Sequence, residues 1–374
     1  MTATEPLPGP TLISVIVPAR NEEDSLAACL QSLAAQTGAN FEIIVVDDHS
    51  TDRTREIALS FSGRGVLVIE APPLPPGWTG KNNALAAGAQ KARGEWLLFT
   101  DADTVHLPGS LSRALDEAES LRVAMLSYSP RQVVNSFWEK AVMPVIFAEL
   151  AATYRPRNVS NPESPAAAAN GQYILISRQA YDAIGGHARI ANEILEDVAL
   201  ARAVKHSGLK LSFRYAAGSV RTRMYRTFEQ LREGWTKNLA LLFPAAPGLA
   251  ALRTLEFLLI VASVALAVVN ARQGRLWPAM IPVVSAIALY AAFIARIRRA
   301  HFDWYENLLS FLGLPLFSWL LLRSWLAHRR GSVSWKGRSY PTREAVAYAD
   351  AGSSVTQTGT AMKQGRPKSR FVQM

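Results

Sequence analysis

Apolar residues follow two regimes along this chain. Up to about residue 247, short apolar runs alternate with segments of helical spacing, and beyond it long apolar stretches take over. In the first regime LISVIV (12–17) has the length and β-branched content of a buried strand. In the following PARNEEDSLAACLQSLAAQTG, Leu26, Leu30 and Leu33 keep helical spacing and Gly38 marks a stop. FEIIVV (41–46) predicts a second strand ending in Asp47-Asp48, a helix covers about 53–62, and VLVIE (66–70) predicts a third strand. After the Pro-rich loop APPLPPGWTG, a helix over about 82–92 leads into a fourth strand, WLLFT (96–100). QYILIS (172–177) reads as another strand, and NEILEDVALARAVKHSG (192–208) as a helix stopped by Gly208. This alternation predicts a parallel sheet with right-handed crossovers. Ligands of such sheets bind beyond the carboxyl ends of the strands, where Asp47-Asp48 and Asp101-Ala102-Asp103 stand.

In the second regime Leu255–Val269 is apolar apart from Glu256, Trp277–Ala295 carries no charge, and Leu308–Leu322 is uncharged but contains Gly313 and Pro315. A spanning helix needs about 20 apolar residues. The expectation is a transmembrane region over 248–330, in two or three segments at about 250–270, 277–295 and 308–327. The third is either a kinked span or a re-entrant hairpin. Arg296, Arg298 and Arg299, and later Arg329 and Arg330, favour the cytoplasmic side, which a hairpin third segment satisfies for both clusters. The amphipathic stretch FWEKAVMPVIFAELAATY (137–154) is either an ordinary helix or an interfacial one. Residues 1–11 are expected to be flexible, 331–349 to be a juxtamembrane segment, and the polar tail 350–374 to be disordered. MTATEPLPGP lacks a basic stretch followed by an apolar one. The expectation is a multi-pass protein of the cell (inner) membrane with its first domain in the cytoplasm.

Charge narrows the partners. The chain of 374 residues carries a formal net charge of +10. A basic balance suits nucleic acid, an anionic membrane surface or an anionic substrate. No zinc-knuckle spacing or RNP-like aromatic motif is present, which favours the membrane and a phosphorylated substrate and leaves no nucleic acid among the expected partners. The single cysteine, Cys29, excludes an intrachain disulfide and a cysteine metal cluster, and reads as a small core residue.

Asp101 and Asp103 fall on one side of an extended segment, so both can face one cation, and hard divalent ions combine carboxylates with phosphate oxygens. An acid pair at a turn is also commonly just solvated or capping. Asp47-Asp48-His49-Ser50 either caps the following helix or offers acids to a base or ribose. Gly77-Trp78-Thr79-Gly80-Lys81-Asn82 resembles a phosphate loop only superficially, since Pro75 and Asn82 occupy positions where a P-loop needs Gly and Ser or Thr. Lys81 at a helix start either neutralises a diphosphate together with the helix N-terminus or is simply solvated. Glu196-Asp197 falls in a first helical turn, where the dipole alone favours acids, and where a carboxylate can also serve as a general base. The stretch from Tyr225 to Trp235 is dense in cations, aromatics and amides, suiting a lid over a diphosphate or a basic helix near a membrane.

VIVPARNEE, VVDDHSTDRT, PPGWTGKNNAL, LLFTDADT and EILEDVALA, in that order, resemble a family 2 glycosyltransferase of the GT-A fold over about residues 12–240. The apolar segments and WKGRSY (335–340) resemble a lipid-glycosylating branch that includes ceramide glucosyltransferase and bacterial carotenoid- or hopanoid-associated enzymes. The resemblance implies an α/β nucleotide-diphospho-sugar transferase, a Rossmann-like mixed sheet over 12–247, followed by C-terminal transmembrane helices. It implies that Pro18, Ala19, Arg20 and Glu22 line a nucleotide pocket, that Asp47 or Asp48 meets uracil, and that Lys81 approaches the nucleotide or diphosphate. Asp101 and Asp103 would hold Mg²⁺ or Mn²⁺ and the ribose–diphosphate end, and Asp197 would be the base with Glu196 beside it. The Q-x-x-R-W motif of some relatives is absent: Gln230, Arg232 and Trp235 stand at another spacing and form a candidate diphosphate or acceptor clamp. The implied reaction is inverting transfer of a sugar, glucose by expectation, from a UDP-sugar to a lipid hydroxyl. The alternatives are a polyprenyl-phosphate glycosyltransferase, and a transporter or scaffold with a Rossmann-like module; three apolar segments without internal symmetry argue against a transporter.

Overall fold

The computed structural model describes residues 11–341. The expectations placed on residues 1–10 and 342–374 lie outside the described residues. The expected strands form at Leu12–Ala19, Asn40–Asp47, Val66–Glu70, Trp96–Phe99 and Ile174–Ser177. Met125–Ser129 and Leu211–Tyr215 add two more, from the runs MLSYS and LSFRY, which mix polar with apolar residues and give no clear period. The seven lie in the order Val66–Glu70, Asn40–Asp47, Leu12–Ala19, Trp96–Phe99, Ile174–Ser177, Met125–Ser129, Leu211–Tyr215.

Val15 and Val17 face Leu26, Cys29, Leu30 and Leu33 on one side of the sheet. Ile16, Ile44 and Val46 face Ala84, Leu85 and Ala89 on the other. Burial on both faces accounts for near-continuous apolar runs instead of alternation, and Cys29 is the core residue expected of it.

The sheet is mixed, as the resemblance implied, where the strand–helix alternation alone predicted a parallel one. Ile174–Ser177 runs antiparallel to both its neighbours, while every other pairing is parallel. The reversal has a consequence for the site. An antiparallel strand begins where its parallel neighbours end, so Asn170-Gly171-Gln172 arrives beside Asp101. A smaller sheet of Thr104–His106, Val220–Thr222 and Arg131–Gln132 closes that edge, with the Thr222 hydroxyl donating to the Asp103 carbonyl at 3.1 Å.

Three helices are long and apolar enough to cross a membrane: Ala246–Arg272, Leu276–Ala300 and Trp304–Arg329. The first two leave much of their apolar surface uncovered, with Trp277 85% and Ile281 75% exposed. The third is more covered, with Leu314, Phe317, Leu320 and Leu321 buried while Trp304, Leu312 and Trp319 stay exposed. Its two ends both meet the α/β domain. Asp303, just before it, pairs with Arg131 at 2.8 Å, and Lys336, just after it, pairs with Glu22 at 2.5 Å.

The stretch expected as an ordinary or interfacial helix is internal. Phe137–Thr153 buries Val142, Met143, Val145 and Ile146 in one cluster with Trp235, Leu239, Phe293, Phe317 and Leu320. That cluster straddles residue 247, so no break in packing falls at the expected domain boundary. Glu256, the lone charge in its apolar run, is part of it by pairing. Arg253 lies 2.9 Å from Glu149 and 3.0 Å from Glu256, and Arg296 lies 2.8 Å from Glu256 and 3.4 Å from Glu149. This neutral quartet joins the Phe137–Thr153 helix to the first two apolar helices. Removing one partner of a buried pair strands a charge and costs about 3–5 kcal/mol. Glu256→Ala is therefore expected to lower the unfolding midpoint in detergent clearly, whereas Glu233→Ala, on the helix Phe228–Leu242 outside this quartet, serves as the reference for a lost carboxylate.

Candidate active site

A cavity of about 980 Å³ opens at the carboxyl ends of the strands. Pro18, Ala19, Arg20, Glu22, Asp48, Lys81, Asp101, Asp103, Glu196 and Asp197 all line it. The adjacent acids at the end of the second strand divide. Asp47 turns into the following loop, where one oxygen accepts from the Ser50 N–H at 3.3 Å and the other lies 3.8 Å from Arg55. Asp48 turns to the cavity, and both its oxygens are held by the Arg338 guanidinium.

Lys81 is half-buried and paired rather than simply solvated. It sits in the first turn of the helix Gly80–Lys91, which the Thr79 hydroxyl caps by accepting from the Asn82 N–H. Buried Asn82 donates to the carbonyls of Ile190, Ala191 and Glu193, clamping this turn to the chain that leads into Glu196. Lys81 Nζ then lies 2.7 Å from Asp101 Oδ1 and 2.5 Å from Glu196 Oε1. Burial alone would lower the pKa of Lys81, but the Asp101 and Glu196 charges override it and hold the ammonium well above its ordinary value. Burial likewise opposes ionisation of Glu196, and the charges of Lys81 and then Lys237 pull it below the usual carboxylate range.

Asp197 differs from its neighbour. Its Oδ2 accepts from the Gly171 N–H at 3.0 Å and its Oδ1 from the Val198 N–H at 2.8 Å, and no cation touches it directly. Burial, then the Glu196 charge, push its carboxyl up to about 6. Asp103 is pushed higher, to about 8, by burial and by Asp101 and Glu22.

Residues 14–185 match the sequence model of glycosyl transferase family 2. That stretch of the chain is similar to a glycosyl transferase family 2 domain. The chain is similar over its length to 4,4'-diaponeurosporenoate glycosyltransferase of Staphylococcus aureus (strain USA300), 28% identical over 345 residues covering 88% of each chain. The protein of strain MRSA252 is 27% identical over 344 residues, again 88% of each chain. Among solved structures, a mannosyltransferase from Pyrobaculum calidifontis in complex with GDP-Man and Mn²⁺ is 16% identical, covering 87% of this chain and 88% of that one, with a TM-score of 0.48. Glucosyl-3-phosphoglycerate synthase from Mycobacterium tuberculosis, in complex with Mn²⁺ and UDP-Glc, is 21% identical, covering 62% of this chain and 78% of that one, with a TM-score of 0.41.

The candidate clamp of Gln230, Arg232 and Trp235 does not assemble on one face. On a helix each residue turns about 100°, so positions 230, 232 and 235 do not share a face. Arg232 is outside the cavity, 3.6 Å from Glu229. Gln230 borders the cavity, but its amide oxygen accepts from the Arg226 and Thr227 N–H groups in a capping box. Trp235 is 2% exposed, its indole N–H directed to the Met143 sulfur at 3.3 Å. The same helix instead presents Lys237 to the cavity, its ammonium 5.5 Å from the centre of the Trp335 ring. Burial lowers its pKa. Lys237, Lys336 and Arg338 are the site residues that the sequence reading left without a role. WKGRSY was a visible signal for the last two, but a motif beyond three apolar helices carries no indication of which surface it returns to.

Lys81→Met removes the ammonium between two carboxylates. The expected outcome is a loss of sugar transfer of about 10²–10³-fold, the scale of one preorganised electrostatic contact. Circular dichroism should stay unchanged, and the Glu196 carboxyl should titrate at a higher pH.

Proposed function

We propose that the chain transfers a hexose, glucose by preference, from a UDP-sugar to a hydroxyl of an apolar lipid in the membrane, with inversion at the sugar carbon. The observation that carries this reading is the composition of this cavity. Its strand side gathers acids and cations, while Phe147, Leu150 and Leu242 line another wall. Those apolar residues come from the two helices packed directly on the membrane-type helices, so a lipid acceptor has a route from the bilayer to Asp197. The named acceptor of the Staphylococcus aureus relative is a carotenoid acid, which agrees with an apolar isoprenoid-like molecule here.

The roles follow from position. Asp48 accepts from the uracil imide N–H. Lys81, at a helix N-terminus, meets the diphosphate as it departs. Asp197 takes the proton of the acceptor hydroxyl, whose oxygen forms a bond to the sugar carbon as the bond to the diphosphate breaks. UDP and the lipid glycoside are the products. Glu196 stays committed to Lys81 and keeps it in place.

The donor set fits a divalent cation, Mg²⁺ or Mn²⁺. Asp103 is raised first by burial and then by the neighbouring charges of Asp101 and Glu22, which Lys336 and Lys81 offset only in part. A cation held by Asp103 and Asp101 would supply charge neutralisation to the leaving diphosphate. In the membrane arrangement proposed here, the nucleotide cavity faces the cytoplasm and the protein is multi-pass in the inner membrane, with Arg296, Arg298 and Arg299 on that same side.

Asp103→Asn is expected to abolish transfer while leaving the fold intact, and excess chelator should do the same to the wild type. Full activity under either condition removes the cation from this site.

Asp197 must be ionised to act as a base. With a pKa of about 6, it loses that form as pH falls, so kcat should decline below about pH 6. General-base assistance is worth about 10²–10⁴-fold, so Asp197→Asn should lose that much kcat with little change in UDP-sugar affinity. A second reading has support from the relative: a carboxylate acceptor, like a polyprenyl phosphate, is already a nucleophile at neutral pH and needs no base. If transfer survives within a few-fold in Asp197→Asn, the hydroxyl acceptor is excluded and an anionic acceptor takes its place.

A further inference from the structure

Past the third apolar helix the chain forms a two-stranded hairpin, Ser332–Trp335 and Arg338–Pro341, and its tip returns to the cavity. We propose that this hairpin is part of the donor site, with Lys336 a binding residue for the donor diphosphate and Arg338 a positioning residue for Asp48. The inference rests on the reading of the donor as a nucleoside diphosphate sugar.

Hairpin tips are usually the most solvated part of a sheet. This one is plugged into the α/β domain. Lys336 Nζ donates to the carbonyls of Arg20 at 2.9 Å and Asn21 at 3.3 Å, and lies 2.5 Å from Glu22 Oε1. Arg20 answers from its side chain, donating to the Lys336 carbonyl at 3.3 Å and the Asp48 carbonyl at 2.6 Å.

The turn itself is unusual in composition. Both of its central residues have positive φ, 46° at Lys336 and 74° at Gly337. Two-residue turns of that kind favour Asn, Asp or Gly at both places. A lysine at the first accepts backbone strain, and strain of this sort gathers where a side chain is needed for function. Here the strained residue is the one that delivers an ammonium into the cavity.

Charge explains the need. The donor end of the cavity holds Glu22, Asp48, Asp101 and Asp103. Lys81 covers Asp101, Lys336 covers Glu22 and Arg338 covers Asp48. The Lys336 charge also acts on Asp103. A diphosphate brings further negative charge to this place, so an end stripped of the hairpin would repel it. Lys336, with three donors on a flexible stem, can keep one contact on the Arg20–Glu22 segment while turning others to phosphate oxygens. Arg338 grips both oxygens of Asp48, which leaves lone pairs free for an imide N–H from a base.

The test is equilibrium binding of uridine, UMP and UDP to the full-length protein in detergent with Mn²⁺ and no acceptor. Lys336→Ala should weaken UDP by about tenfold, the scale of one charge-assisted contact, and leave uridine within two- to threefold. Lys336→Arg should retain most UDP affinity. Arg338→Ala should narrow the preference for UDP over CDP, whose base offers no imide N–H. Equal losses for uridine and UDP in Lys336→Ala would make the hairpin a structural strap and overturn the proposal. So would unaltered UDP binding in that variant. Wild-type protein that binds no UDP overturns the donor reading and this inference with it, an outcome distinct from normal wild-type binding that Lys336→Ala leaves untouched.

Discussion

The contact between Lys81 and the two carboxylates of Asp101 and Glu196 organises the rest of the site. Acids at the end of a buried strand are costly unless hydrated, paired or bound to a cation. Here the pairing is done by a residue from a different crossover, and a third segment supplies the second acid. The three segments meet only because the sheet reverses direction at Ile174–Ser177 and brings the loop before it, and the helix Glu196–His206, to the same edge. One ammonium thereby fixes the distance between the D-x-D turn and the start of the helix Glu196–His206.

The same constraint recurs at the rim. Two carboxylates that face the cavity draw a cation from far along the chain: Lys336 for Glu22 and Arg338 for Asp48, both more than 280 positions away. It recurs again at the junction with the apolar helices, where Glu149 and Glu256 are matched by Arg253 and Arg296. The catalytic and membrane-type regions are thus held by shared apolar packing and by matched charge, and they make one body.

Pairing also separates residues that a motif cannot tell apart. Glu196 and Asp197 are neighbours with identical chemistry, yet one is bound to Lys81 and the other to backbone N–H groups. Asp47 and Asp48 likewise part company at a strand end, one to a turn and one to the cavity.

Sequence alone determined the strand–helix alternation, the long apolar helices and the acids at strand ends, because each is written in local periodicity and composition. Leu26, Leu30 and Leu33 face one core whatever else the chain does, and DAD after an apolar run can only sit at a strand's end. The order of five short motifs was enough to name the family. Tertiary structure alone decided the reversed strand, the partner of Lys81, the failure of Gln230, Arg232 and Trp235 to converge, and the return of the hairpin after the third apolar helix to the cavity. Those are contacts between segments remote in sequence. Their energies depend on burial and on which opposite charge arrives nearby, and neither quantity is carried by any local pattern.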